Sequence, residues 1–217
     1  MKEELTKEKL LEEATVFSNL ESEHEESSIY GATDGKAVGT YLEHKFKSFL
    51  NTKYNFDSGN SANGIDLPGL NLDIKTTSLI QPQSSCPFKS ARQKIFGLGY
   101  NLLVFVYKKE DNQQSSTSRL YIVHTIYVSK ERTADFQLTT SLNEILKNKA
   151  NKDDIIALLH DKNLPVDDIL ANNLADEILL NKPQIGYLTI SNALQWRLQY
   201  NRIIEEAGNV TGIERLV

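Results

Sequence analysis

Apolar residues recur at intervals of three and four over the first fifty positions, a spacing typical of amphipathic helices. The pattern predicts one helix over residues 2–20 and a second that runs to about residue 50. Thr33 or Asp34 precedes the second helix and is predicted to cap it, because both side chains accept hydrogen bonds from free backbone N–H groups.

The run NLLVFVYK, residues 101–108, lacks polar alternation and predicts a strand that is buried on both faces. Residues 119–128 predict a second strand beside it. Two shorter strands, at 65–67 and 70–76, are predicted on either side of the turn dipeptide Pro68-Gly69. Further segments are predicted as a short helix at 90–97 and loops at 60–64, 81–87 and 111–118.

Beyond residue 140 the apolar spacing becomes helical. Helices are predicted at 141–149, 152–161, 165–180 and 192–207, with one short strand at 187–190. The fold class is therefore mixed α/β, with a central mixed sheet flanked by helices and a mostly helical C-terminal part. We expect an acidic helix and connector at 1–30, a core at 31–140, and a helical region at 141–217 for recognition or dimerisation.

The 217 residues carry a net charge of −5, but the charge is unevenly distributed. Residues 1–27 hold nine Glu against three Lys, whereas residues 36–109 hold ten Lys and Arg against four Asp and Glu, a net +6. The positive charge of residues 36–109 favours binding of an anionic partner. The alternative is that it is a chance fluctuation on a solvated surface. Cys86 is the lone cysteine and, with no long apolar run or signal sequence, predicts a reducing, cytoplasmic setting without a membrane.

Two carboxylates and an ammonium interrupt the apolar positions of the segment GIDLPGLNLDIKTTS. Residues i and i+2 of a strand share a face, so Asp73 and Lys75 are predicted to project together while the neighbouring leucine and isoleucine enter the core. A turn at Pro68-Gly69 would bring Asp66 beside Asp73. Carboxylates this close repel each other, and a hard cation such as Mg²⁺ removes the repulsion and can activate water. An exposed hairpin with a salt bridge is the alternative.

The spacing of Asp66, Asp73 and Lys75 resembles the PD-(D/E)xK signature of restriction-endonuclease-like nucleases, with Ile65 where that family often has proline. The segment GKAVGTYLEHKF adds Glu43 on the preceding predicted helix. Its GTYLE piece is similar to the methyl-directed mismatch-repair nickase and its restriction-enzyme relatives. The resemblance covers roughly residues 35–128 and is most like a type II restriction endonuclease.

The resemblance implies a restriction-endonuclease-like core and a site-specific endonuclease that hydrolyses double-stranded DNA. It implies that Asp66, Asp73 and Glu43 hold Mg²⁺, for which Mn²⁺ can substitute, and that Lys75 completes the catalytic set. Cutting both strands of a palindrome calls for a homodimer. A solvated helix residue is the alternative for Glu43.

Polar and basic residues near the motif and near the C-terminus are candidates for DNA contacts, because Arg and Lys supply most phosphate contacts. These candidates are Asn63, Lys89, Ser90, Arg92, Lys94, Arg197 and Arg202. An exposed or packed helix face is the alternative for each, and Trp196 is expected to pack inward.

Several other activities lack their motifs. No G-x-S-x-G is present, and GKAVGT holds Gly and Lys in the wrong order for a phosphate-binding loop, so no nucleotide cofactor is expected. A repair nickase, a junction resolvase of the same fold and a non-catalytic DNA-binding module remain open. No residue pattern indicates the recognition sequence.

Overall fold

The computed structural model describes residues 2–59, 64–85, 90–191 and 197–217. Asn63, Lys89 and Trp196, for which the sequence suggested DNA contacts or packing, lie outside these ranges.

The described chain forms helices that alternate with strands in its first two thirds. The helices are α1 (Lys7–Glu23), α2 (Gly35–Lys53), α3 (Arg92–Phe96), α4 (Phe136–Lys147), α5 (Lys152–Asp161), α6 (Asp168–Leu180) and α7 (Asn201–Glu206). The strands are β1 (Glu3–Glu4), β2 (Glu25–Glu26), β3 (Tyr54–Asn55), β4 (Leu72–Ser78), β5 (Gln83–Ser85), β6 (Asn101–Asn112), β7 (Thr117–Val128), β8 (Thr189–Ile190), β9 (Arg197–Gln199) and β10 (Ile213–Arg215).

The main sheet has the strand order β10-β7-β6-β4, and β2 also pairs with β7. Strand β4 runs parallel to β6, whereas the other pairs are antiparallel, so the sheet is mixed as predicted. A second sheet has the order β5-β9-β8, and β1 pairs with β3. The restriction-endonuclease-like fold class is consistent with this arrangement.

Strand β6 lies at the centre of the protein and is buried on both faces, as its apolar run predicted. Leu103 and Phe105 face the cluster that α1 and α2 complete. Leu102 and Val104 face a second cluster, built with β7, β8, β9 and α7. Helices α3 to α6 enclose a third cluster. The division of the chain at residues 30 and 140 stays a prediction, although α1 and α2 share one core.

Helix α2 confirms the helix predicted before residue 50. The side chain of Asp34 accepts a hydrogen bond of 2.9 Å from the backbone N–H of Lys36 and caps the first turn. Val38, Leu42 and Phe46 form its buried stripe at the expected spacing.

The C-terminal region departs from the predicted pattern. The long helix expected over 192–207 is wrong, because residues 197–199 form strand β9 and, among the described residues of this range, helix is confined to 201–206. Leu198 and Ile203 suit an amphipathic helix, but each is buried on a different element of the second cluster. Pairing of β9 with β5 and β8 supplies the backbone hydrogen bonds that a helix would have made internally.

Two smaller corrections concern the segments that flank the acidic motif. Residues 83–85, predicted as loop, form β5, and the strand predicted at 65–67 reduces to a single bridge between Leu67 and Leu72. Strand β5 depends on pairing with β9, more than 110 residues away, which local patterns do not reveal. No helix within the described ranges has the length and apolar character needed to cross a bilayer.

Phe46 should carry a large share of the stability of the first core. Its ring is fully buried and lies 4.9 Å from that of Phe17 and 5.1 Å from that of Phe105. We expect Phe46→Ala to lower the free energy of unfolding by about 3–5 kcal/mol in urea denaturation, because it leaves a cavity. Val16→Ala, at a side chain that is 44% exposed, is the control and should change it by less than about 0.5 kcal/mol. Equal effects of the two substitutions would contradict this account of the core.

Candidate active site

A tight turn before β4 places Asp66 beside that strand. Leu67 and Leu72 exchange backbone hydrogen bonds of 2.9 and 3.2 Å across a 3₁₀ turn at Pro68–Leu70. Asn71 closes the turn in the left-handed region, at a φ of 47°, a conformation that asparagine tolerates. The predicted turn at Pro68-Gly69 is therefore confirmed, and it folds the chain back as expected.

Asp66 is held from three sides. Its Oδ2 accepts a hydrogen bond of 2.8 Å from the backbone N–H of Ile74, and its Oδ1 accepts one of 2.7 Å from Lys47 Nζ. The backbone N–H of Gly59 donates to the carbonyl of Asp66 at 2.9 Å. A side chain at Gly59 would place its Cβ 1.8 Å from the carbonyl oxygen of Ile65, so the close approach requires glycine.

Strand alternation sets the next two charged groups on one face of β4. Asp73 is 4% exposed, and Lys75 Nζ lies 2.6 Å from Asp73 Oδ2. Leu72 and Ile74 enter the first core cluster, so the predicted orientation of all four side chains is confirmed. Because β4 is fixed in parallel register to the buried strand β6, these carboxylate and ammonium positions are rigidly set.

The carboxyl groups of Asp66 and Asp73 interact directly, and their pKa values move in opposite directions. Burial raises the pKa of Asp73 to about 7, and its contact with Asp66 adds to this although Lys75 opposes it. Burial would also raise the pKa of Asp66, but hydrogen bonds from the Asp73 carboxyl, Lys47 and the Ile74 N–H hold it below its usual value. Two buried carboxyls side by side favour one shared proton over two negative charges.

Helix α2 brings Glu43 to the same place and adds a residue that the sequence reasoning missed. Lys47 Nζ donates to Glu43 Oε1 at 2.8 Å and to Asp66 Oδ1 at 2.7 Å. Burial by itself would lower the pKa of Lys47. Its partners Asp66 and Glu43 outweigh this effect, so the pKa of Lys47 is raised above its usual value and the side chain stays charged. The spacing of four residues between Glu43 and Lys47 on a predicted helix was the available signal.

The donor set suits a hard divalent cation. Asp73 Oδ2 is buried without a hydrogen-bond partner among the described residues, because the nearby ammonium of Lys75 is not aligned for one. Carboxylate oxygens are the ligands that Mg²⁺ prefers. No three carboxylate, imidazole or thiol side chains of the described ranges converge as a ready cation site. Lys47 supplies the positive charge between Glu43 and Asp66 instead.

An open cleft of about 740 Å³ lies beside these groups, although Asp66, Asp73 and Lys47 are not among its lining residues. Glu43 and Lys75 line it together with Lys36, Lys109 and Arg197. Its lining includes four cationic and two acidic side chains, so the cleft favours a polyanion. Lys36 and Lys109 were not singled out from the sequence, although both belong to the basic stretch 36–109.

The structure separates the predicted DNA contacts. Arg197 is exposed in the cleft. Arg92 is already paired with Glu177, with Nη2 and Oε1 2.5 Å apart, and Arg202 lies 3.7 Å from the ring centre of Phe136. Lys94 is 6% exposed, and burial lowers its pKa. Phosphate contacts by these three side chains, and by the half-buried Ser90, stay predictions that would require rearrangement; Asn63 and Lys89 lie outside the described residues.

Comparison with known proteins gives one consistent result. The family described as type II restriction enzyme NspV matches residues 4–215. The type II restriction enzyme NspV of Nostoc sp. (strain ATCC 29411 / PCC 7524) is 64% identical over 209 residues, which cover 96% of this chain and 95% of that enzyme. No solved structure matches the chain.

The pKa of Asp73 predicts a distinctive pH dependence of stability in EDTA. Its carboxyl ionises near pH 3.9 when unfolded but near pH 7 when folded, so the folded chain binds the extra proton between these values. Protonated Asp73 therefore favours the folded state at low pH, and this contribution to the free energy of unfolding is lost as the pH rises to about 7. Between pH 5 and 7, wild type should lose up to about 1.4 kcal/mol of unfolding free energy per pH unit relative to Asp73→Asn. Parallel urea-unfolding curves for the two proteins would contradict the shift.

Proposed function

Because the chain belongs to the family of the type II restriction enzyme NspV, we propose that it cleaves double-stranded DNA at a specific sequence by Mg²⁺-dependent hydrolysis. The observation that carries this proposal is the set of Asp66, Asp73 and Lys75 on rigid backbone beside a basic cleft. Family membership supports the activity, and the side-chain set supports the chemistry.

The chain's own residues have separate roles in the proposed reaction. Asp66, Asp73 and Glu43 would hold the cation, which when bound supplies positive charge at the phosphodiester and lowers the pKa of water. Lys75 reaches the cleft while touching Asp73. In the proposed reaction its ammonium would orient the attacking water and stabilise the negative charge that develops on the phosphate.

Lys47 has a different role in this proposal. Its ammonium neutralises Glu43 and Asp66, so it holds the acidic groups together. A cation that binds these oxygens competes with this lysine for the same negative charge. Mn²⁺ can take the place of Mg²⁺, because both accept oxygen ligands.

The remaining features of the proposal concern DNA binding. Lys36 and Arg197 would provide positive charge along the cleft, where phosphates of the bound duplex would lie, and Lys109, which is paired with Asp111, would contribute less. Cleavage of both strands at one site is most simply achieved by a homodimer, whose two-fold axis coincides with that of a palindromic sequence.

Replacement of Lys75 should separate binding from cleavage. We expect Lys75→Met to reduce the cleavage rate of phage DNA with Mg²⁺ by at least about 10²-fold, because stabilisation of the developing charge is lost. Affinity for the same DNA in Ca²⁺ should change by less than about tenfold, because one contact is lost among many. Lys108→Met is the control, since Lys108 is exposed and paired with Glu110 outside the cleft. A Lys75→Met protein that cuts at the wild-type rate would refute the catalytic assignment.

Products from supercoiled plasmid distinguish the proposed activity from its relatives. With Mg²⁺ we expect full-length linear DNA or discrete fragments, because both strands are cut at fixed positions, and EDTA should abolish the reaction. Accumulation of open circles alone would indicate a nickase. Absence of cleavage for every unmethylated DNA tested, with binding retained, would indicate a non-catalytic DNA-binding module.

A further inference from the structure

The small sheet β5-β9-β8 has one buried face and one polar face. Residues that lie opposite each other on paired strands share a face, and the pairs here are Gln83 with Gln199 and Ser85 with Arg197. Thr189 of β8 pairs with Gln199 and joins them. Five polar side chains therefore project together from three short strands, a group that we name the polar face.

The opposite face fixes this sheet to the protein core. Leu198 and Ile190 are buried in the second core cluster. Ser84 Oγ lies 2.5 Å from the hydroxyl of the fully buried Tyr200. The backbone N–H of Tyr200 also donates to the carbonyl of Pro82 at 2.8 Å. The polar face is thus presented by rigid backbone rather than by a mobile loop.

The sheet is also tied directly to the catalytic strand. Thr77 Oγ1 on β4 donates to the carbonyls of Gln81 and Gln83, at 3.3 and 3.1 Å. Thr77 follows Lys75 by two residues, a distance of about 7 Å along a strand. Gln83, Ser85 and Arg197 line the cleft that contains Lys75.

The amide and guanidinium groups of the polar face are not used to stabilise the described part of the fold. Within the described ranges, no hydrogen bond or ion pair engages the side chains of Gln83, Gln199 or Arg197. Amide and guanidinium groups that share one face of a sheet, have no partner among the described residues and include Gln83 and Arg197 in the lining of the cleft are suited to hydrogen bonding with an external ligand.

We propose that the polar face reads the DNA sequence, with Arg197 and Gln199 as the principal specificity-determining residues. The proposal rests on the proposed endonuclease function and extends it to the choice of site. Three strands span about 10 Å, which fits a major groove of roughly 12 Å. Arg pairs best with guanine and Gln with adenine, through two hydrogen bonds each, and these are the expected targets.

Distance from the catalytic lysine limits which bases are read. Gln83 and Arg197 line the same cleft as Lys75. Thr77, which donates to the carbonyl of Gln83, lies two residues from Lys75 on β4. The base pairs contacted by the polar face are therefore expected near the cleaved bond. A phosphate contact by Arg197 would instead give binding without preference for any base.

Arg197→Lys is the decisive variant, because lysine keeps the charge but loses the planar pair of donors. Binding of a randomised duplex pool in Ca²⁺, followed by sequencing of the bound fraction, measures base preference without cleavage. Preference at one G·C position per half-site should fall roughly 5- to 150-fold in Arg197→Lys, and other positions should be unchanged. Gln199→Ala should relax a neighbouring A·T position. Arg119→Lys and Gln137→Ala are matched controls outside the cleft and should keep the wild-type profile.

Each outcome bears on one proposal. A wild-type profile in both Arg197→Lys and Gln199→Ala would overturn base reading by the polar face, and so would a uniform loss of affinity for every sequence. A wild-type protein that selects no sequence would overturn it as well. Selection that depends on Arg197 in a protein that cuts no DNA with Mg²⁺ would preserve base reading and refute the endonuclease function.

Discussion

The contact between the carboxyl groups of Asp66 and Asp73 is the constraint on which the rest of the site depends. Two carboxyl groups in contact at a largely buried position repel each other when both are ionised. The chain opposes that repulsion with three fixed groups: the ammonium of Lys47, the ammonium of Lys75 and the backbone N–H of Ile74. Each comes from an element with its own structural support, so the acids cannot relax apart without disrupting the fold.

That support originates in the buried strand β6. Its two faces are packed by different clusters, and β4 is held against it in parallel register over seven residue pairs. Helix α2 packs its apolar stripe on the first cluster, which leaves Glu43 and Lys47 directed at the acids. Deep packing thus pays for an arrangement that is locally unfavourable, as expected of a functional site on a rigid scaffold.

Local patterns predicted the parts of this arrangement that are encoded locally. The apolar run of β6, the capped helix α2, the Pro68-Gly69 turn and the shared face of Asp73 and Lys75 all follow from periodicity and turn chemistry. Strands β5 and β9 were missed, because β5 gains its strand hydrogen bonds by pairing with β9 across more than 110 residues, and β9 lies between β5 and β8. Lys47 was missed because its importance arises from a contact with Asp66, 19 residues away, rather than from its own neighbours in sequence.

The same long-range pairing explains how site choice and chemistry can be joined. Strand β5 is anchored at one side by Thr77 of β4 and at the other by β9. A change in the position of the polar face would therefore move the backbone that carries Lys75, and the reverse also holds. Because binding energy accelerates a reaction only when it is realised in the correct geometry, this short path would give the proposed recognition a physical means of aligning the proposed catalytic groups. In the proposed reading of DNA, an Arg197 or Gln199 contact with a wrong base would shift β5, and the contact of Thr77 with Gln83 would pass that shift to the strand that carries Lys75.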